Sequence, residues 1–571
     1  MAHCKQMAFI AGFFSCVLAA QAATIVFDRI PTHLQLFPRD SADSSQVVIS
    51  GRVTSLGSNS VSAELYKNDS LWKSCITSLA YTGSSADFSM NFQLYSELAE
   101  YKFRIHIDDS LVTERDSITC GDIYLLNGQS NTRATDFQGL ATFQSEWIRS
   151  YSTSGSDVSV DSLWGLAQGH IDHTHAAVGV WGLLLGKRLV ETYGIPVCIL
   201  NGAVGGTTIA AHLRNESNRL DVSTIYGRLL YRASKAGIEQ NVKAIIWHQG
   251  ENNTDATYAA YAASFHTLYD AWKEDYLNLK KMYVFQIRPG CGFDFQNNLR
   301  EIQRTLPESY DDIEIMSTNG IVNHDGCHYG CSGYDQMAEW IFGLVAHDFY
   351  NSTDTIGIRP PNIQRAYYTT GTYDRIALEF DQPIVWPSNY LGNAMKNYMY
   401  IDGAYGAVDS GYVQDSTTVI LNLSASSNGQ RITYLPNWYY NGTATVFEGP
   451  WIRNPRGIGA LSFFDFPIAD SATTDIHYDE DTAPAHFRTA CYPNPFNPVT
   501  TIAFSVSQTS TMRISVYDFS GRHIETLFNG PVLLGEHHVQ WNAGAFASGL
   551  YVYRIQRNGK LVETRRICYL K

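Results

Sequence analysis

Three observations predict a multidomain fold with a central α/β segment on a parallel sheet, flanked by β-sandwich domains. At 571 residues the chain is too long for one hydrophobic core. Between 119 and 352, short apolar runs alternate with stretches of helical periodicity, the pattern of parallel strands covered by helices on both faces. On either side, apolar and polar residues alternate singly between Gly, Asn, Asp and Ser, as half-buried antiparallel strands require.

The chain opens on a stretch that reads as a secretory signal peptide, residues 1–22. Lys5 supplies the positive start, "MAFIAGFFSCVLAA" the apolar run, and Ala20-Gln21-Ala22 the small-x-small cleavage site. The apolar run is too short for a membrane span of about 20 residues. Export permits disulfides. Without Cys4 and Cys16, the candidates are Cys75, Cys120, Cys198, Cys291, Cys327, Cys331, Cys491 and Cys568. Spacing alone does not fix their connectivity; the expectation is that Cys491 and Cys568 staple the first and last strands of the final module.

From 23 to 118 the runs "QVVISGRV", "VSAELYKN", "FSMNFQLY" and "YKFRIHIDD" predict a small β-sandwich. In the segment 119–352 the expected strands are "IYLLNG", "IPVCILNGA", "KAIIWHQG", "MYVFQIRP" and "IEIMSTNG". Helices are expected over "VGVWGLLLGKRLVETYG", which ends at Gly194 before Pro196, from about Tyr258 to Leu279, and over "YDQMAEWIFGLVAHDFY". Residues 353–467 return to strands ("RIALEFDQPIVW", "TTVILNL", "ATVFEG"), and the polar stretch 468–487 reads as a linker. Residues 488–571, opening with "CYPNPFNPVTTIAFSV", predict a further β-sandwich.

Composition narrows the function. A net charge of −14 without any Lys/Arg block excludes nucleic acid and anionic membrane as expected partners. Aromatic residues at 13% fit β-rich modules. Cys327 and Cys331 resemble half a zinc knuckle, but no second pair accompanies them, and His170, His173 and His175 in "HIDHTH" have the spacing of no closed zinc site. No metal and no cofactor are expected.

Chemistry concentrates in four loops, each following an apolar strand, where parallel sheets carry their sites. "LLNGQSN" presents Ser130. "NGAVGGT" brings Gly205 and Gly206, whose backbone N–H groups can approach a ligand closely. "WHQGEN" holds Gln249, Gly250 and Glu251, and "DGCHY" sets Asp325 three residues before His328. That last spacing lets a carboxylate face the imidazole Nδ1–H and leaves the other ring nitrogen free to take a hydroxyl proton. Each piece alone is ordinary: a Ser after a strand is usually a turn or cap residue, and D-x-x-H arises by chance. Their joint occurrence at strand ends of one segment is what points to a serine hydrolase. His324 stands beside the pair as a rival base, without an Asp at that spacing.

These four blocks, in this order, resemble those of the SGNH hydrolases, and within them the sialate O-acetylesterase and acetylxylan esterase branch marked by GQSN and W-x-Q-G-E. The resemblance implies an SGNH-type three-layer domain, with Ser130 as nucleophile, His328 as base and Asp325 as its orienting carboxylate. It implies an oxyanion hole of the Ser130 N–H, a Gly205 or Gly206 N–H and the Gln249 side chain. Gln129, Asn131, Thr207, Glu251 and Asn252 are then substrate-binding or supporting candidates, with Glu251 read as tying loops together; Asn252 departs from the "GES" of many relatives. The final module, through "VYDFSGRHIETL" and "GEHHVQWNAGAFASGLYVYRI", resembles C-terminal sorting or FlgD-like immunoglobulin modules of exported bacterial proteins, which implies a secretion machinery as partner. The expected protein is a secreted or surface-borne carbohydrate O-acetylesterase acting on an acetylated polysaccharide or glycan, acetylxylan first. A sialate O-acetylesterase and a non-catalytic glycan-binding surface protein are the alternatives.

Overall fold

The computed structural model describes residues 24–471 and 489–571, apart from 55, 136–142, 154–160, 170–174, 438–446, 507–509, 519–521, 533–534 and 559. The expected signal peptide, nearly all of the expected linker, and His170 and His173 lie outside the described residues. The chain divides into two compact units, residues 1–476 and 477–571.

The first unit is organised by a mixed 11-stranded sheet. Its central path runs Trp164–Leu166, Ile148–Tyr151, Val197–Asn201, Ser110–Gly128, Val242–His248, Lys281–Gln286, Ile313–Ser317. All neighbours on this path are parallel except the first pair. The apolar runs form strands because both faces are covered, which removes the polar alternation of a one-sided sheet. Tyr124, Leu126, Ile199, Ile246 and Phe285 pack on one face against α2 (Val180–Tyr193) and α6 (Cys331–Tyr350). Ile123, Leu125, Leu200, Ile245 and Val284 pack on the other against α3 (Ile225–Lys235), α4 (Tyr261–Asp275) and α5 (Gln296–Thr305). Helix α2 stops where expected, at Gly194 in the left-handed region with φ 65°.

Strand Ser110–Gly128 takes part in both antiparallel and parallel ladders. Its first half pairs antiparallel with Tyr101–Ile107, with register shifts after Tyr101 and Ile105. Its second half pairs parallel with Val197–Asn201 and Val242–His248. Ser117, at φ 54°, stands between the two regimes. The first half helps close the N-terminal β-sandwich, whose other sheet is Ile25–Arg29, Ser44–Val53 and Ala86–Tyr95. Val47, Phe92, Leu65, Phe103 and Ile105 fill the space between. Beyond α6, a four-stranded and a three-stranded sheet enclose another core around Leu378, Leu421, Ile432 and Tyr434. Its loop returns to the central sheet, where Gln286 accepts from the Ser462 N–H and donates to the Ser462 carbonyl, both at 2.9 Å. Among the described residues no helix is long and apolar enough to cross a membrane.

The second unit is a pair of antiparallel sheets around Trp541, Ile514, Tyr553 and Ile567. The expected Cys491–Cys568 staple is corrected: both cysteines are free. They stand in different sheets, Cys491 opposite Ile502 and Cys568 opposite Leu550, and the Cys491 thiol is 3.1 Å from the Thr500 hydroxyl. The disulfide in the described residues is Cys291–Cys327, in the first unit.

Candidate active site

Parallel register brings the loops together. Leu126 lies opposite Asn201, and Gly128 opposite His248, so three neighbouring strands end at one level. Gly128 is needed there: at φ 142°, a Cβ would sit 2.1 Å from the His248 carbonyl oxygen. The chain then turns into α1 (Ser130–Arg133), a single turn closed by Ala134 in the left-handed region. Ser130 occupies the first helical position, where backbone N–H groups have no partner inside the helix. The turn is held from below, as the Thr132 hydroxyl donates to the His248 carbonyl at 2.9 Å and the Asn201 amide donates to the Thr132 carbonyl at 2.9 Å.

Half-buried Ser130 places its Oγ 2.9 Å from His328 Nε2. On the far side of the ring, His328 Nδ1 is 3.7 Å from Asp325 Oδ2, an ion-pair separation beyond a hydrogen bond. Asp325 uses its other oxygen within the loop, accepting from the N–H groups of Cys327 at 2.7 Å and His328 at 2.6 Å. Desolvation by its neighbours alone would raise the Asp325 carboxyl, but the bonds from His328 and Cys327 outweigh it and hold the group well below the ordinary carboxylate range. The Asp325 carboxylate in turn raises the His328 imidazole, against the opposing effect of burial and with a further contribution from Glu251. The other loop histidine is turned away. His324, its side chain 2% exposed, lies 3.3 Å from Glu448, and burial together with the Arg288 charge lowers it to about 3.

Gly205 lies against Ser130: a Cβ there would meet Ser130 Cβ at 3.7 Å and Arg133 Nη1 at 3.3 Å. Exposed Gly206 has open space around it, and its carbonyl accepts from the Asn252 amide at 3.0 Å. Asn252 thus closes the Gly206 loop. Gln249 is fully buried, and its amide donates to Gln129 Oε1 at 3.2 Å, the Thr207 carbonyl at 3.0 Å and Asn253 Oδ1 at 2.8 Å. Gln129 Oε1 also accepts from the Gly250 and Asn252 N–H groups. Thr207 donates to the Val204 carbonyl at 2.7 Å. Of the sequence-derived residues, Ser130, His328, Asp325 and Gly205 converge on one spot, while Gln129, Gln249, Thr207 and Asn252 bond loop to loop.

Glu251 lies beneath this layer, 2% exposed, accepting from the Asn131 amide at 2.7 Å and standing 3.3 Å from His248 Nε2. Burial would raise its carboxyl, but His248 and Asn131 outweigh burial and keep it below the ordinary value. Sequence reasoning missed His248 as this partner and missed the disulfide from Cys327 to Cys291. A usable signal was present: Cys291, in "RPGCGF", follows a strand of the same sheet that the "DGCHY" loop serves. His175 pairs with Asp161 at 3.1 Å.

Residues 120–345 match the family described as carbohydrate esterase, sialic acid-specific acetylesterase, and residues 490–569 match the secretion system C-terminal sorting domain. The sialate O-acetylesterases of Pongo abelii and Homo sapiens are each 25% identical over 224 residues, covering 33% of this chain and 40% of theirs. The match therefore spans well under half the length of those curated relatives. The crystal structure of a carbohydrate acetylesterase from Xanthomonas citri aligns with a TM-score of 0.54 at 16% identity, over 77% of this chain and 99% of that one, a likeness of fold. The resemblance of the four blocks to sialate O-acetylesterases and of the final module to sorting domains holds. A sorting domain implies secretion or a place at the cell surface.

Proposed function

We propose that the protein is a secreted carbohydrate O-acetylesterase that removes acetyl groups from sugar hydroxyls through an acyl-Ser130 intermediate. On this reading residues 119–352 are an SGNH-type three-layer domain, framed by β-domains at 23–118 and 353–467, with residues 488–571 directing export. The observation that carries it is the 2.9 Å contact between Ser130 Oγ and His328 Nε2. A serine hydroxyl becomes an effective nucleophile only when a base at hydrogen-bond distance takes its proton.

His328 Nε2 takes the Ser130 proton as Oγ bonds to the acetyl carbonyl carbon. The resulting oxyanion faces the Ser130 N–H and the Gly205 N–H, and each such preset donor lowers the barrier by about 3–4 kcal/mol. Gln249 acts as a third donor when its amide exchanges one of its three internal acceptors for the oxyanion. The carbon–oxygen bond to the sugar then breaks, and His328 returns the proton to the sugar oxygen. Water repeats the sequence on the acetyl-serine, losing its proton to His328, and acetate leaves as Ser130 recovers its hydrogen. Asp325 orients the imidazole and stabilises its protonated form.

Acetylated plant polysaccharide of the xylan type is the leading substrate. The matched family and the mammalian relatives favour O-acetylated sialic acid as the second reading. Acetate release from acetylated xylan and from O-acetylated sialic acid, by wild type and Ser130→Ala side by side, tests both. Release from xylan that vanishes in the variant is the expected result. Release from neither substrate turns the reading toward a glycan-binding surface protein.

A further inference from the structure

Asn131, next to the nucleophile, is 1% exposed, so it has no surface to offer a glycan. Its polar groups are directed elsewhere. Nδ2 donates to Glu251 Oε1 at 2.7 Å and to the Cys327 carbonyl at 3.0 Å. Oδ1 accepts from the Tyr334 hydroxyl at 3.4 Å, and the backbone carbonyl accepts from the Trp181 indole at 2.8 Å. One carboxamide therefore joins three loops: its own, that of Gln249, and that of His328.

The separation between nucleophile and base needs such a device. Ser130 and His328 are 198 residues apart in sequence and sit on different loops. Asp325 does not fix their separation, because its side chain is 60% exposed, 3.7 Å from the ring, and bonded within its own loop. The Cys291–Cys327 disulfide ties the His328 loop to the neighbouring strand end, not to the Ser130 turn. The bond from Asn131 to the Cys327 carbonyl runs directly from the residue after the nucleophile to the residue before the base. Glu251, on a third strand end, anchors the same amide from behind.

We propose that Asn131 is a positioning residue: with Glu251 as its anchor, it sets the distance between Ser130 Oγ and His328 Nε2. The proposal rests on the reading of Ser130 and His328 as nucleophile and base, so its test uses a readout separate from acetate release. A small fluorophosphonate suits, since Ser130 Oγ bonds to phosphorus, fluoride leaves and His328 takes the proton, with no glycan bound. In Asn131→Ala, kcat on a small acetyl ester and the phosphonylation rate should each fall about 100-fold with KM nearly unchanged, the effect of misplacing reacting groups by about 1 Å. Glu251→Gln, which keeps an acceptor oxygen for the Asn131 amide, should stay within about tenfold of wild type in both rates, whereas Glu251→Leu should resemble Asn131→Ala.

Phosphonylation of Asn131→Ala within about threefold of wild type overturns the proposal, as does a rise in KM with kcat intact, the signature of a binding-wall residue. Should Asn131→Ala not fold, equal phosphonylation rates in Glu251→Gln and Glu251→Leu overturn it. A wild type that is phosphonylated at Ser130 yet releases no acetate overturns the acetylesterase reading alone, and the variant rates still decide the role of Asn131.

Discussion

The site has a rim and a floor, both built of polar residues, and the two differ in what can reach them. On the rim, Ser130 and His328 are half-buried and Asp325 is exposed. In the floor, Asn131, His248 and Glu251 are each 2% exposed or less. Each region holds a carboxylate below its ordinary range, Asp325 through bonds within its loop and His328, Glu251 through His248 and Asn131. The chemistry of the side chain therefore does not separate the roles; access does. Rim groups can meet a substrate, whereas floor groups can only hold backbone and each other. A buried charge whose partner is removed is costly, while an exposed one is solvated again.

The comparison predicts that stability, read beside rate, separates the two regions. The largest effect belongs to the rim: Ser130→Ala should lower kcat by about 10⁴-fold or more while urea unfolding stays at the wild-type midpoint. A floor variant should lose stability together with rate. Glu251→Leu leaves His248 and the Asn131 amide without their carboxylate, and should lose about 3–5 kcal/mol in urea unfolding. A Glu251→Leu protein as stable as wild type would erase the distinction.

Asp325→Asn sharpens the rim side, with an expected fall in plateau activity of about 100-fold, smaller than the ~10⁴-fold cost at a hydrogen-bonded triad carboxylate because Asp325 is exposed and 3.7 Å from the ring. Its pH profile carries a sign. In the proposed mechanism His328 must be neutral to accept a proton, and Asp325 raises its pKa, so wild-type activity should be lost as pH falls through a value above that of an ordinary imidazole. Removing the carboxylate should move that acid limb to lower pH, measured as kcat/KM against pH. The smallest effect is expected at His324, which faces Glu448 and Arg288: His324→Gln should leave kcat/KM within about threefold, because no reacting atom is in its reach. A large loss there would reopen the choice of base.

The rim was legible in the sequence and much of the floor was not. Ser130, Gly205, Asp325 and His328 each follow a run of apolar residues in the chain, so strand ends and loop chemistry are read together. The central strands and α2, α4 and α6 were legible for the same reason, through periodicity. The short strands Ile148–Tyr151 and Trp164–Leu166 were not, since a few residues carry no period. Asn131 and Gln129 looked like pocket walls because a sequence does not show which amides are buried. Their partners lie as far as 120 and 196 residues away, where no local pattern connects them. The Cys491–Cys568 expectation failed on similar ground: a place at either end of a module does not pair two thiols, and both are free.

Strand Ser110–Gly128 also bears on which changes of length a lineage can accept. From Asp122 to Asn127 its residues alternate between the two faces of the central sheet, so one inserted or deleted residue would exchange those faces and re-aim Ser130. Up to Ser117 the ladder with Tyr101–Ile107 contains register shifts, which can take up an extra residue locally, whereas beyond it the shift beside Ile123 has its extra residue in the partner strand Val242–His248. Insertions and deletions should therefore accumulate on the amino-terminal side of Ser117 and be purged on the other, although both stretches are one continuous strand.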